Sequence, residues 1–176
     1  ISRAPSLIYF GQDVGEDGSE NAGFGSPTRT SIFDYIGVPA HQAWMNNGKF
    51  DGAKLTNEQA ALREYYKAIM ALNSLPAVVG GDMQKLNLTG SDRIVGFSRT
   101  LGQQTILVLS NFSDQTQSIS VDLSQEQVTK LGESSLIVDL LEQHQVELKT
   151  HSQGATFNLT LDAFSSAVLT NKANNE

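Results

Sequence analysis

The chain has 176 residues, enough for one large domain or a small domain with an appendage. Its 39% hydrophobic and 18% charged residues suit a folded globular protein; the net charge of −7, with no Lys/Arg run, speaks against a nucleic-acid or anionic-membrane binder, because phosphate binding rests on clustered cations. The absence of cysteine excludes disulfides and thiolate metal sites, and no apolar stretch approaches the ~20 residues that span a bilayer.

The first residue is Ile1 rather than Met and no signal peptide is visible, so a start further upstream is expected. Leu7-Ile8-Tyr9-Phe10 is a short, continuously apolar run, the pattern of a strand covered on both faces in a parallel sheet or α/β barrel. It stops at Gly11 and opens into a loop bearing Gln12, Asp13, Glu16, Asp17 and Glu20. Polar groups delivered just past such a strand lie where barrel folds place their sites. Residues 11–55 then form a long, glycine-rich connection, well beyond the roughly 12–15 residues of ordinary loops. It carries Phe24, Ile32, Phe33, Tyr35, Trp44, Met45 and Phe50, too much apolar mass for a free linker. An ordered loop with one short helix near Pro39–Asn46 is expected.

A helix follows. Thr56 is its expected N-cap, Gln59 completes a capping box, and Leu55 with Ala60 occupy the hydrophobic-staple positions. Leu62, Tyr65, Tyr66, Ile69 and Leu72 supply an apolar stripe, and Pro76 ends the helix. From about residue 78 the pattern is of short strands: Arg93–Arg99, Thr105–Phe112 (nearly all apolar, hence central), Gln117–Leu123, Ser135–Leu141, Val146–Leu148, Thr156–Leu161 and Ser166–Thr170. Their spacing predicts an antiparallel sandwich. Residues 171–176 are polar and expected to fray. The Asn-x-Ser/Thr triplets at Asn87, Asn111 and Asn158 fall in or beside strands and are read as chance.

Few chemical motifs stand out. An EF-hand starting at Asp13 fails, since Gly15 and Phe24 occupy ligand positions. His41, His144 and His151 lack partners at His-x-x-x-His spacing, so no metal site is expected, and the last two are read as surface residues. There is no Gly-x-Ser-x-Gly elbow, no Gly-x-Gly-x-x-Gly and no phosphate loop.

Ala4–Asp13 resembles the last barrel strand of α-amylase-type enzymes (glycoside hydrolase family 13), whose pattern runs Gly-x-Pro-x-Ile-Tyr-Tyr-Gly-x-Glu. Ile8, Tyr9 and Gly11 match, while Ala4, Ser6, Phe10 and Asp13 stand at the first Gly, the Pro, the second Tyr and the Glu. The segments RTSIFDY (Arg29–Tyr35) and WMNNGKFDG (Trp44–Gly52), then a helix and a β-rich tail, follow in the order seen at the end of such enzymes, over essentially the whole chain.

The resemblance implies a mainly β fold: an antiparallel β-sandwich preceded by a βα remnant of a (β/α)8 barrel. The expected division is 1–77 for the last strand, loop and helix, and 78–176 for the sandwich. It implies a parent that acts on α-glucans or oligosaccharides by retaining double displacement, which needs two carboxyl groups roughly 5–5.5 Å apart. The family's nucleophilic Asp, acid/base Glu and third Asp lie on earlier strands, so no catalytic residue is expected in this chain, which alone should not cleave a glycosidic bond. The expected contribution is one wall of the cleft, from Gln12, Asp13, Arg29 and Trp44, with the sandwich as a cap. Trp44 and Tyr35 could stack on sugar or pack the loop; Arg29 could contact substrate or form an ion pair; His41 has a possible place at the sugar site. Glu16, Asp17 and Glu20 are read as solvated. No cofactor is expected in this chain, although the parent is expected to bind calcium. The implied partners are the parent's α-glucan or oligosaccharide substrate and the N-terminal remainder of the barrel, with no nucleic acid and no membrane. A secreted or periplasmic location is favoured over a cytoplasmic one. Transglycosylases and isomerases share this C-terminal layout. The rival reading is a stand-alone carbohydrate-binding or interaction β-sandwich module, but the only aromatics after residue 78 are Phe97, Phe112, Phe157 and Phe164, a poor stacking platform.

Overall fold

The structure, a computed structural model, describes residues 6–16, 37–132 and 134–171. The chain divides into two compact units, Ser2–Ala71 and Leu72–Glu176.

In the first unit, the run at Leu7–Phe10 leads into a turn and a short 3₁₀ helix, Gln12–Val14. The expected strand has no ladder partner among the described residues, because every strand described belongs to the other unit. Its side chains are correspondingly open: Leu7 is 89% exposed, Ile8 42% and Tyr9 45%. Helix α1 spans Pro39–Met45, starting with Pro at N1 where its missing N–H costs nothing, as expected from the sequence. Helix α2 spans Asn57–Ala71. Both arms of its capping box form: the Gln59 N–H donates to Thr56 Oγ1 (3.2 Å), and the Thr56 N–H donates to Gln59 Oε1 (3.0 Å). Yet no residue of α2 is fully buried.

The second unit is the antiparallel sandwich. Its strands are β1 (Asp82–Lys85), β2 (Asn87–Thr89), β3 (Ile94–Leu101), β4 (Gln104–Asn111), β5 (Gln117–Ser124), β6 (Leu136–Asp139), β7 (Gln145–Glu147), β8 (Lys149–His151), β9 (Gly154–Leu161) and β10 (Ser166–Asn171). One sheet runs β1-β3-β4-β10-β6-β7 and the other β2-β5-β9-β8. Alternation fixes the register: Ile119, Val121 and Leu123 lie opposite Leu159, Phe157 and Ala155, so the inward sets of β5 and β9 coincide. They meet Leu107, Leu109, Ile137, Ala167 and Leu169 of the other sheet in one core. The opposite face of that sheet, with Ile106, Val108 and Val168, is covered by Leu72, Ala77 and Val78. That two-sided burial is why β4 reads as almost wholly apolar. It also explains the unit boundary at Leu72, since the residues after Ala71 pack on the sandwich.

Pro76 ends α2's region as expected but also starts helix α3, Pro76–Gly80. Helix α4 (Gln125–Leu131) is absent from the sequence reading, although its capping box, Ser124 with Gln127, is written in the chain. Its Glu126 carboxyl is held below the ordinary value by the hydrogen bond from Lys130. The expected fraying of 171–176 is corrected at Asn171, which ends β10, is buried, and donates to the Leu131 carbonyl at 2.6 Å; residues 172–176 lie outside the described set. No helix among the described residues is long and apolar enough to cross a membrane.

Candidate functional site

The chemistry of the first unit gathers where the apolar run ends. Gly11 has φ +78, and a Cβ there would come within 2.6 Å of Glu16 Cβ, so only glycine allows the chain to fold back on itself. The 3₁₀ helix then presents Asp13, and it packs on α2. Asp13 forms an ion pair with Arg63 of α2. Both side chains are partly buried, which screens the pair less than a surface one. The Arg63 guanidinium lies 4.3 Å from the centroid of the Trp44 ring, a cation–π contact. Trp44 continues a row of rings: His41 at 5.3 Å and Phe50, edge-on, at 5.6 Å; His41 in turn sits 4.5 Å from Phe10.

A cavity of about 350 Å³ opens beside this cluster, lined by residues including Tyr9, Phe10, Asp13, His41, Arg63 and Tyr66. Arg63, Tyr66, Lys67 and Met70 reach it from one face of α2, at i, i+3, i+4 and i+7. A charge pair beside aromatic faces suits a ligand with hydroxyls and an apolar face. It does not suit glycosidic cleavage by these residues alone. Asp13 is the only carboxylate among the described residues of the lining, and its charge is taken up by Arg63.

Of the expected wall residues, Asp13 lines the cavity. Gln12 is exposed beside it, its Oε1 accepting the Tyr9 N–H at 3.1 Å, and Trp44 backs Arg63 without lining the cavity. Arg29, Tyr35, Asp17 and Glu20 lie outside the described residues. Glu16 is not merely solvated: its Oε2 accepts the His41 N–H at 2.8 Å, in the first turn of α1, and its Oε1 is buried without a hydrogen bond. Arg63 is absent from the sequence reading, and Phe50 enters it only as part of the apolar mass of the long loop. Arg63 sits on a mixed-polarity helix face that an apolar-stripe search passes over. Phe50 is held at φ +55 in a loop where Asn46 and Asn47 are also left-handed. That loop is pinned by Asp51, whose Oδ1 accepts the Asn46 Nδ2–H at 2.8 Å and the Ala53 N–H at 3.1 Å. The Asn46 bond, then the Ala53 bond, hold the Asp51 carboxyl below its ordinary value.

Asp13, Glu16 and Asp51 are engaged with Arg63, His41 and Asn46. Among the described residues, the one group of side chains with metal-ligand spacing is Asp139, Glu142 and His144, in the sandwich.

No protein-family model and no curated protein matches the chain. Solved structures do. AmyP bound to maltose is 16% identical with a TM-score of 0.52, over 69% of this chain and 23% of that one. An AmyP variant bound to maltotriose is 14% identical with a TM-score of 0.53, over 69% and 22%. The α-amylase of Geobacillus thermoleovorans with acarbose is 20% identical with a TM-score of 0.47, over 69% and 25%. The chain thus spans about a quarter or less of the length of these structures. In fold it is similar to the C-terminal part of α-amylase-type (glycoside hydrolase family 13) enzymes, mainly β and antiparallel.

Proposed function

We propose that this chain is the C-terminal part of an α-amylase-type glycoside hydrolase acting on α-glucans or oligosaccharides, non-catalytic by itself. Residues Leu7–Ala71 close the parent's barrel and supply one wall of its cleft, and the sandwich follows as its C-terminal domain. The observation that carries the reading is apolar surface left exposed among the described residues: Leu7 and Ile8 stand open, and α2 has an apolar stripe but no fully buried residue. Burying such side chains is worth about 1.5–3 kcal/mol each. The N-terminal remainder of a barrel, flanking the strand on both sides and lying under the helix, would recover that energy. Asp13, with Arg63 behind it, then faces the cleft as a binding group, and cleavage falls to carboxylates of the remainder. The likeness to structures solved with maltose and maltotriose supports an α-glucan as the substrate class.

The test uses the isolated chain on maltooligosaccharides and on a starch column. The expected result is no hydrolysis and no retention. Hydrolysis would overturn the non-catalytic assignment, and retention on starch would favour the carbohydrate-binding module.

A further inference from the structure

We propose that Asp139, Glu142 and His144 form a binding site for one divalent transition-metal ion on the turn joining β6 to β7. The turn is short and tightly bonded: the Asp139 N–H donates to the His144 carbonyl (2.9 Å), and the Gln143 N–H donates to the Asp139 carbonyl (2.8 Å). This brings an Asp-x-x-Glu-x-His sequence into one cluster. The three candidate ligand atoms lie within 4.8 Å of one another.

Asp139 is the unusual member. It is 1% exposed, and carboxylates are almost never buried so fully unless paired. Its Oδ1 is committed to the backbone, accepting the Leu141 N–H at 2.9 Å and the Val168 N–H at 3.2 Å. Val168 belongs to the neighbouring strand β10, so this oxygen is fixed by the sheet as well as by the turn. Oδ2 lies 3.9 Å from His144 Nδ1, within ion-pair range of a protonated imidazole but too far for a direct hydrogen bond. His144 Nδ1 is in turn 3.5 Å from Glu142 Oε2. Two ligands bound at about 2.0–2.2 Å to one ion stand no more than roughly 4.3 Å apart. Both separations are inside that limit, and the Glu142 side chain is exposed. The arrangement matches the way metal ligands are held, with one carboxylate oxygen oriented by backbone donors and the other left for the ion. One imidazole and two carboxylates select zinc-like ions over calcium or magnesium, which prefer all-oxygen sets.

The experiment is calorimetric titration of the full chain with zinc chloride, repeated for His144→Ala, Glu142→Gln and, as control, His151→Ala. The side chains of His144 and Glu142 are exposed, so these variants keep the fold. The expected result is one saturable ion per chain, weakened at least ~10-fold by His144→Ala and by Glu142→Gln, unchanged by His151→Ala and not displaced by calcium. Absence of saturable binding overturns the proposal. So does binding that survives His144→Ala, or that calcium displaces.

Discussion

Asn111, at the end of β4, ties two connections of the sandwich, β4–β5 and β9–β10, through one buried side chain that is 3% exposed. Its Nδ2 donates to the carbonyls of Gln115 (2.7 Å), Asp162 (2.8 Å) and Leu161 (3.3 Å), and its Oδ1 accepts from the Ser113 N–H (3.0 Å) and Oγ (2.8 Å). In Asn111→Ala the exposed partners regain water, whereas the Leu161 carbonyl sits in a buried contact and does not. At about 1 kcal/mol net for the buried Leu161 bond, plus about 1–3 kcal/mol for its carbonyl left unpaired, the loss is about 2–4 kcal/mol. For a domain near 100 residues that lowers Tm by about 10–25 °C. Asn111→Asp is the sharper probe. It keeps the shape and the Oδ1 acceptor but turns the donor into a second acceptor facing three carbonyl oxygens. At neutral pH it should be less stable than the alanine variant. Thermal unfolding followed by far-UV circular dichroism reads both. An alanine variant within about 0.5 kcal/mol of the parent, or an aspartate variant as stable as the parent, would refute the reasoning. The same bonds bear on glycosylation, since Nδ2 is the atom a glycan would need.

Three further outcomes are expected. Arg63→Leu removes the ion pair to Asp13 and the cation over Trp44, the chain's single tryptophan; it should shift Trp44 emission and weaken the first unit by about 1–2 kcal/mol, and an unchanged emission spectrum would deny the contact. Gly154→Ala should cost more than about 3 kcal/mol or block folding of the sandwich, because φ is +150 and a Cβ would stand 1.8 Å from the Leu123 carbonyl oxygen; normal expression and an unchanged melting curve would contradict this. Asp51 has a folded pKa lowered from 3.8, so its contribution to stability is present above that value and is lost as pH falls through the folded one. Asp51→Asn should therefore flatten the acid limb of the first unit's stability curve, read by Trp44 emission between about pH 5 and 2, and an identical acid limb in the variant would remove Asp51 from the account.

The sandwich was legible because period-two alternation survives in strands with one solvated face, as at Ile119, Val121 and Leu123, and because a strand covered on both faces reads as a continuous apolar run, as β4 does. The short edge strands β1, β2 and β8 were not legible: almost all their residues are exposed, and their pairing is decided by neighbours rather than by their own pattern. Helix α1 was announced by Pro39 and α2 by Thr56 and Gln59, both being local chemistry. The candidate site was legible only in part. Asp13 stood out by its place after Leu7–Phe10, but Arg63, 50 residues on, became its partner through tertiary packing that spacing does not encode. His144 likewise has no histidine at ligand spacing in the sequence. Its partners are carboxylates brought round a turn, and the Asp139-x-x-Glu142-x-His144 spacing is the signal that was available.

The most direct measurement is co-expression of this chain with the segment encoded immediately upstream of Ile1, assayed on maltooligosaccharides against either piece alone. Assembly into a complex that releases reducing sugar, with neither piece active by itself, is the result the account predicts. An upstream segment that hydrolyses glucan fully without this chain, or that carries no acidic residues at the ends of successive barrel strands, would contradict it.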